Sequence, residues 1–97
     1  MSRPPAVVLA LPLSADDKLE PFVEVCLMDG VALIAVWGEG CGAIEDLIDE
    51  IVVGDGSDDS RYITTSAHEG ETLEEVIEFA RTWVTEQGRH GAEVVRL

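Results

Sequence analysis

The sequence predicts a small α/β domain in which four mostly parallel strands alternate with three helices, in the order β-α-β-α-β-α-β. Two continuous apolar runs, residues 6–11 and 31–37, are typical of strands that are buried on both faces of a parallel sheet. The segments that follow them carry apolar residues at helical spacing. Strands that alternate with helices in this way imply parallel pairing through right-handed crossovers.

Three helices are indicated by their start and stop signals. Asp16 and Asp17 precede an apolar stripe that begins near Leu19 and is closed by the Asp-Gly pair at residues 29–30. Residues 44–51 form a second stripe, with acidic residues on its outer face. The capping-box pattern at residues 72–75 begins the longest helix, which we expect to span residues 72–87.

The order of the strands follows from their polarity. The two most apolar strands belong in the middle of the sheet, because central strands lose contact with water on both faces. A third strand at residues 62–65 is more polar, and residues 92–97 alternate apolar and charged side chains as a half-exposed edge strand does. These features favour the order 3-2-1-4 over the alternative 2-1-3-4. We treat residues 1–97 as one small Rossmann-like domain with three layers.

The charge balance restricts the partners. The chain has 20 Asp and Glu against 6 Lys and Arg, a formal net charge of −14. Because no basic face can be assembled, the charge argues against nucleic acids and anionic membranes as partners. A basic protein partner, a bound cation and simple solubility are all compatible with it, and a solvated acidic surface is the commonest explanation of such a charge. No apolar run reaches transmembrane length, and the two cysteines, Cys26 and Cys41, fit reduced thiols better than a disulfide framework. We therefore expect a cytoplasmic protein.

Candidate functional residues gather where the parallel strands end. In such sheets, sites lie outside the carboxyl ends of the strands. Cys41 and His68 come from neighbouring loops there, and a helix N-terminus favours a thiolate. Cys41 and His68 therefore form a candidate nucleophilic pair, with Glu69 or Glu45 orienting the imidazole. The residues around the glycine-rich turn form a candidate binding surface, which comprises Trp37, Gly38, Glu39, Gly40 and Glu45.

Two other interpretations of this region are less favoured. The spacing of Gly38 and Gly40 ahead of a helix matches a dinucleotide-binding fingerprint, but Glu39 would stand in the phosphate cradle, which requires bare N–H groups. Carboxylates and an imidazole suit several divalent metals, but a fixed ligand spacing is missing among Glu39, Glu45, His68 and Glu69. We therefore predict neither a cofactor nor a metal.

Several short motifs, taken together, resemble a known family. They are Trp37-Gly-x-Gly-Cys41, the pair Glu45-Asp46, and Thr64-Thr65-x-x-His68-Glu69 followed by a Leu-x-Glu-Val helix. This pattern, over roughly residues 31–85, is similar to a family of small uncharacterised bacterial proteins known mainly as a domain of unknown function. The resemblance implies a small bacterial α/β domain and carries no established activity.

These observations lead to two hypotheses of function. We expect a non-enzymatic binding or regulatory module whose acidic surface contacts a protein partner, as small immunity proteins contact basic toxins. The alternative is a small thiol-dependent or hydrolytic enzyme that uses Cys41 and His68. We also expect a homodimer, because a single helix at residues 72–87 cannot shield one whole face of a four-stranded sheet, and apolar surface should remain there.

Overall fold

The strands and helices alternate along the chain as the sequence predicts. The computed structural model describes residues 3–58, 60–85 and 88–97. Its strands are β1 (Ala6–Ala10), β2 (Leu33–Trp37), β3 (Thr64–His68) and β4 (Ala92–Val95). Its helices are α1 (Leu19–Met28), preceded by a 3-10 turn at Asp16–Lys18, α2 (Cys41–Val53) and α3 (Leu73–Thr82). All three strand pairs are parallel and the order is β3-β2-β1-β4, which confirms the predicted 3-2-1-4 sheet.

The two apolar strands occupy the centre of the sheet, as predicted. β1 and β2 are neighbours, with Ala6 opposite Leu33 and Ala10 opposite Trp37. Every residue of β1 and the first four residues of β2 are buried. The helices cover both faces of these strands, so their side chains have no polar surface to meet and the apolar runs are continuous.

Successive side chains of the central strands point into two separate cores. The core under α1 and α2 takes Val7 and Leu9 of β1 and Ile34 and Val36 of β2. The core under α3 is built from the alternate residues of the same strands together with two helix residues; its members are Ala6, Val8, Leu33, Ala35, Val76 and Ala80. This arrangement confirms the three layers, with two helices on one face and one on the other.

Two helix boundaries differ from the prediction. α2 begins at Cys41, three residues before residue 44, because Gly40 takes a left-handed φ of 80° and lets the helix start directly after the turn. α3 ends at Thr82, and Trp83 is extended (φ −69°, ψ 131°), so the expected helix at residues 72–87 is too long. Trp83 packs against the α3-side core instead of continuing the helix. Residue 87 lies outside the described part of the chain.

The third strand also differs from the prediction of residues 62–65. β3 runs from Thr64 to His68, and its register places His68 beside Trp37 of β2. Most of β3 is half-buried, which is consistent with its polar sequence at an edge of the sheet. His68, which the sequence analysis places in a loop, is therefore the last residue of β3 and is held by the sheet. Across the described ranges, no helix has the length and apolarity needed to cross a membrane.

One partly buried ion-pair network connects the start of β3 to both helices of one face. The Arg61 guanidinium donates to both carboxylate oxygens of Glu24 on α1, at 3.0 and 2.7 Å. It also donates to the backbone carbonyls of Ile51 and Val52 near the end of α2, at 2.7 and 2.9 Å. The hydrogen bond from Arg61 lowers the pKa of Glu24, and the reciprocal bond raises the pKa of Arg61. One of the few cations of the chain is thus used to join α1, α2 and the entry to β3.

Candidate functional site: an acidic cavity at the strand ends

A cavity of about 400 Å³ opens at the carboxyl ends of β2 and β3. Two neighbouring parallel strands end here and their loops diverge, which is where open α/β sheets place their sites. The lining contains three glutamates, and no Lys or Arg of the described residues takes part in it. The lining residues are Trp37, Gly38, Glu39, Gly40, His68, Glu69, Gly70 and Glu71. The cavity, hereafter the acidic cavity, therefore presents negative charge beside an indole ring.

Two glycines shape the turn between β2 and α2. Gly38 has a φ of +119°, and a Cβ added there would lie 3.0 Å from Cβ of Leu11. Gly40 has a φ of +80° and faces open space. The backbone amide of Cys41 donates to the Gly38 carbonyl at 3.1 Å, which closes the turn. The glycines thus serve a tight strand-to-helix turn, and Glu39 at its tip lines the acidic cavity.

His68 is fixed by three contacts. Its Nε2 lies 2.8 Å from Oγ of Ser66, and its Nδ1 lies 2.8 Å from Oε2 of Glu71. Its ring also packs on Phe79 of α3, with the centroids 4.9 Å apart. The residue is only 8% exposed, so these partners satisfy both nitrogens of a nearly buried imidazole.

Glu71 connects Trp37 and His68, two residues that line the acidic cavity. Its carboxylate contacts His68, and its backbone carbonyl accepts a hydrogen bond from Nε1 of Trp37 at 2.8 Å. Gly70, with a φ of +74°, turns the chain so that Glu71 can reach both partners. The sequence analysis missed Glu71, together with Ser66 and Phe79. The sequence did contain one signal: Glu71 follows His68 at position i+3, with Gly70 between them. A turn at that glycine allows the carboxylate to contact the imidazole.

The structure brings together most of the predicted site residues. Trp37, Gly38, Glu39, Gly40, His68 and Glu69 all line the acidic cavity. Glu69 also lies beside the start of α2, since its Oε1 would be 3.7 Å from a Cβ placed on Gly42. Glu45 lies within α2 as a half-buried residue and does not line the acidic cavity.

Cys41 is separated from His68 by the sheet. Cys41 is 0% exposed and belongs to the core under α1 and α2. His68 instead contacts Phe79 of α3, on the opposite face. The described residues therefore give no geometric support to a Cys41–His68 nucleophilic pair, because a thiol in the core cannot meet a substrate in the cavity.

Both thiols are expected to be inert in the folded protein. Cys26 and Cys41 are each 0% exposed, and burial raises the pKa of Cys26 to about 11. Because the thiolate is the reactive form, neither residue should react with 5,5′-dithiobis(2-nitrobenzoate) at neutral pH, and both should react at once in guanidinium chloride. Rapid modification of one thiol in the native protein, abolished by Cys41→Ala but not by Cys26→Ala, would instead support the thiol-enzyme alternative.

The Ser66–His68–Glu71 hydrogen bonds have the order of a serine-hydrolase triad, and the surroundings oppose that chemistry. A triad needs hydrogen-bond donors aimed at an oxyanion. Here Glu39 and Glu69 line the neighbouring cavity, and their charge would destabilise an oxyanion. Ser66 itself does not line the cavity. We interpret the three residues as the support that orients the cavity wall.

A metal site is not formed by the same groups. Within residues 3–58, 60–85 and 88–97, no three His, Cys, Asp or Glu side chains are arranged so that they could hold a metal ion. The glutamates of the acidic cavity therefore act as separate negative charges around an open space.

The fold and the cavity together define a class: a small parallel α/β domain with an acidic, aromatic-edged cavity at the carboxyl ends of its strands. The chain belongs to the family DUF7684, described as a domain of unknown function, whose family model matches residues 2–95. This membership confirms the resemblance to an uncharacterised domain family. No curated protein and no solved structure matches the chain.

Proposed function

We propose that this domain is a non-enzymatic binding module that receives a basic side chain of a protein partner in the acidic cavity. The observation that carries the proposal is the lining itself, in which Glu39, Glu69 and Glu71 stand beside the indole of Trp37. Carboxylates attract a Lys or Arg head group, and an aromatic ring favours a cation within about 6 Å of its centroid. A cavity of about 400 Å³ suits a side chain rather than a folded surface.

The charge of the whole chain supports the same partner. A net charge of −14 steers a basic protein towards the domain and raises the rate of encounter. Several of the six Lys and Arg residues are paired with acids away from the cavity: Arg3 with Asp29 and Glu93, Arg61 with Glu24, and Arg81 with Glu78. Among the described residues, none of these three arginines is therefore paired with Glu39 or Glu69 of the cavity lining.

Rigid support of the cavity wall favours binding over catalysis. His68 and Trp37 both hold Glu71, and His68 is packed on Phe79. Because the cavity wall is already ordered, it loses little conformational entropy when a side chain of the partner enters. Cys41, the strongest nucleophile among the predicted site residues, is buried on the other side of the sheet.

Trp37 provides the readout for a test. In a Trp83→Phe background, Trp37 is the single tryptophan of the chain, and its emission should change on titration with a synthetic peptide of alternating Arg and Gly. The affinity should fall as salt is added, because the attraction is between charges. Glu39→Gln with Glu69→Gln should weaken binding by about tenfold, equivalent to about 1.4 kcal/mol.

A matched control separates the cavity from net charge. Glu20→Gln with Glu50→Gln removes the same two charges from exposed helix positions outside the cavity, and it should change the affinity by less than about threefold. Equal weakening by both double variants would show that the peptide senses only the overall charge. An absence of binding at low salt would also overturn the proposal.

A further inference from the structure

β3 is an edge strand whose outer backbone groups can bind another strand. It is the first strand in the order β3-β2-β1-β4, and within the described ranges no strand pairs with its outer side. The amide of Thr64 donates to the carbonyl of Ala32 at 2.9 Å, so Thr64 bonds towards β2. Because the backbone groups of successive residues in a strand point to opposite sides, Thr65 and Ala67 direct their N–H and C=O groups away from β2. An extended segment of a partner would satisfy these groups by adding a strand to the sheet.

One stripe of α2 places carboxylates along this edge. The carboxylate of Asp49 accepts a hydrogen bond from the Thr65 hydroxyl at 2.7 Å. At the other end of the stripe, a Cβ placed on Gly42 would lie 3.7 Å from Oε1 of Glu69. Glu45 is a half-buried residue of the same stripe, because it follows Gly42 by three positions and precedes Asp49 by four. Asp49, Glu45 and Glu69, hereafter the edge carboxylates, therefore form a row beside β3.

The edge carboxylates determine the charge of the strand that this edge accepts. In the described part of the chain, none of the three takes part in an ion pair, and Arg61, the cation that precedes β3, is paired with Glu24. Charges beside an edge strand keep unsuitable strands away in natural sheets. Because the row is negative, it repels a second copy of a chain with a net charge of −14 and attracts a basic segment.

The spacing of the row matches that of alternate residues in an extended strand. Glu45 and Asp49 lie four residues apart in α2, which is about 6 Å along the helix axis. Alternate residues of a strand are about 7 Å apart and point to the same face of the sheet. Basic residues at every second position of an added strand can therefore meet successive edge carboxylates, whichever direction the strand runs.

We propose that the partner binds as an extended basic segment that adds a strand to the outer edge of β3. Its basic residues, at every second position, face the edge carboxylates, and its backbone bonds to Thr65 and Ala67. The row ends at Glu69, which also lines the acidic cavity, so the last basic side chain of the segment enters that cavity. The inference rests on the proposed function and extends it, because it specifies the conformation and the sequence pattern of the partner. It also gives a role to Glu45, a predicted site residue that does not line the cavity.

Two synthetic peptides of equal charge test the sequence pattern. One peptide alternates Arg and Thr over eight residues, and the other has the same composition as a block of Arg followed by a block of Thr. In an extended strand, all the Arg side chains of the alternating peptide share one face, whereas the block directs half of them away from the edge carboxylates. The alternating peptide should therefore bind at least about tenfold more tightly. Glu45→Gln with Asp49→Asn should remove about tenfold of its affinity, and the control Glu20→Gln with Glu50→Gln less than about threefold.

Amide hydrogen exchange in the unmodified chain tests the strand addition directly. The outward amides of Thr65 and Ala67 should exchange at least about tenfold more slowly when the alternating peptide is bound, because they then donate to its carbonyls. The amides of Thr64 and Ser66 are the internal control, since they point towards β2 and are protected before the peptide is added.

The outcomes separate this inference from the proposed function. Equal affinity of the two peptides, or unchanged exchange at Thr65 and Ala67 with the peptide bound, overturns the strand addition. The proposed function survives that result if Glu39→Gln with Glu69→Gln still weakens binding. If neither peptide binds at low salt, both are overturned. A dimer of the chain alone in sedimentation equilibrium, with the same two amides protected, would assign the edge to a second copy and also overturn the inference.

Discussion

Ile34→Ala is expected to lower the free energy of unfolding by about 3–4 kcal/mol. Ile34 is 0% exposed and is the second residue of β2, between Val7 of β1 and Thr65 of β3. Its side chain belongs to the core under α1 and α2, where strands and helices surround it and cannot collapse into the space that truncation leaves. A domain of this size has a total stability of about 5–15 kcal/mol, so this single change removes a large share of it.

Guanidinium chloride denaturation followed by circular dichroism measures this loss, and two variants calibrate it. Ile34→Val removes one methyl group and should cost about 1 kcal/mol. Met28→Ala removes a side chain that is 84% exposed, and it should change the stability by less than about 0.5 kcal/mol. If Ile34→Ala cost no more than Met28→Ala, β2 would not be the centre of the fold.

The strand order could be predicted because the apolar content of each strand indicates how deeply that strand is buried. β1 and β2 are almost wholly apolar, and only the centre of a covered parallel sheet accepts such strands. The capping box of Thr72 and Glu75 was equally explicit, and both of its hydrogen bonds are formed. In each case a local pattern has one structural solution.

The boundaries of β3 and the wall of the acidic cavity could not be predicted in the same way. Thr64–His68 is polar enough to resemble a loop, and it forms a strand because β2 offers it a row of backbone partners. The contact between His68 and Glu71 depends on that strand and on the turn at Gly70, so it appears only once the tertiary structure is formed. Alternation of strands and helices likewise does not show which face Cys41 will take.

Gly38→Ala is expected to lower the free energy of unfolding by about 2–4 kcal/mol, through two additive effects. Gly38 has a φ of +119°, a conformation that residues with a Cβ rarely adopt. The added Cβ would also lie 3.0 Å from Cβ of Leu11, an atom fixed to the backbone that cannot rotate away. Leu11 is itself bound to this turn, since its amide donates to the Trp37 carbonyl at 2.9 Å.

Gly40→Ala is the matched control, because it also places a Cβ on a residue with a positive φ but brings that Cβ into no close contact. Gly40 also has a positive φ, +80°, but nothing lies within 4 Å of the added Cβ, so the change should cost about 1–2 kcal/mol. Thermal unfolding of the two variants measures the difference. Gly38→Ala should also shift the emission of Trp37, because relief of the contact with Leu11 must move the strand end that carries the indole. Equal destabilisation by the two variants would mean that the turn can relax away from Leu11, and that the wall of the acidic cavity is less rigid than its contacts indicate.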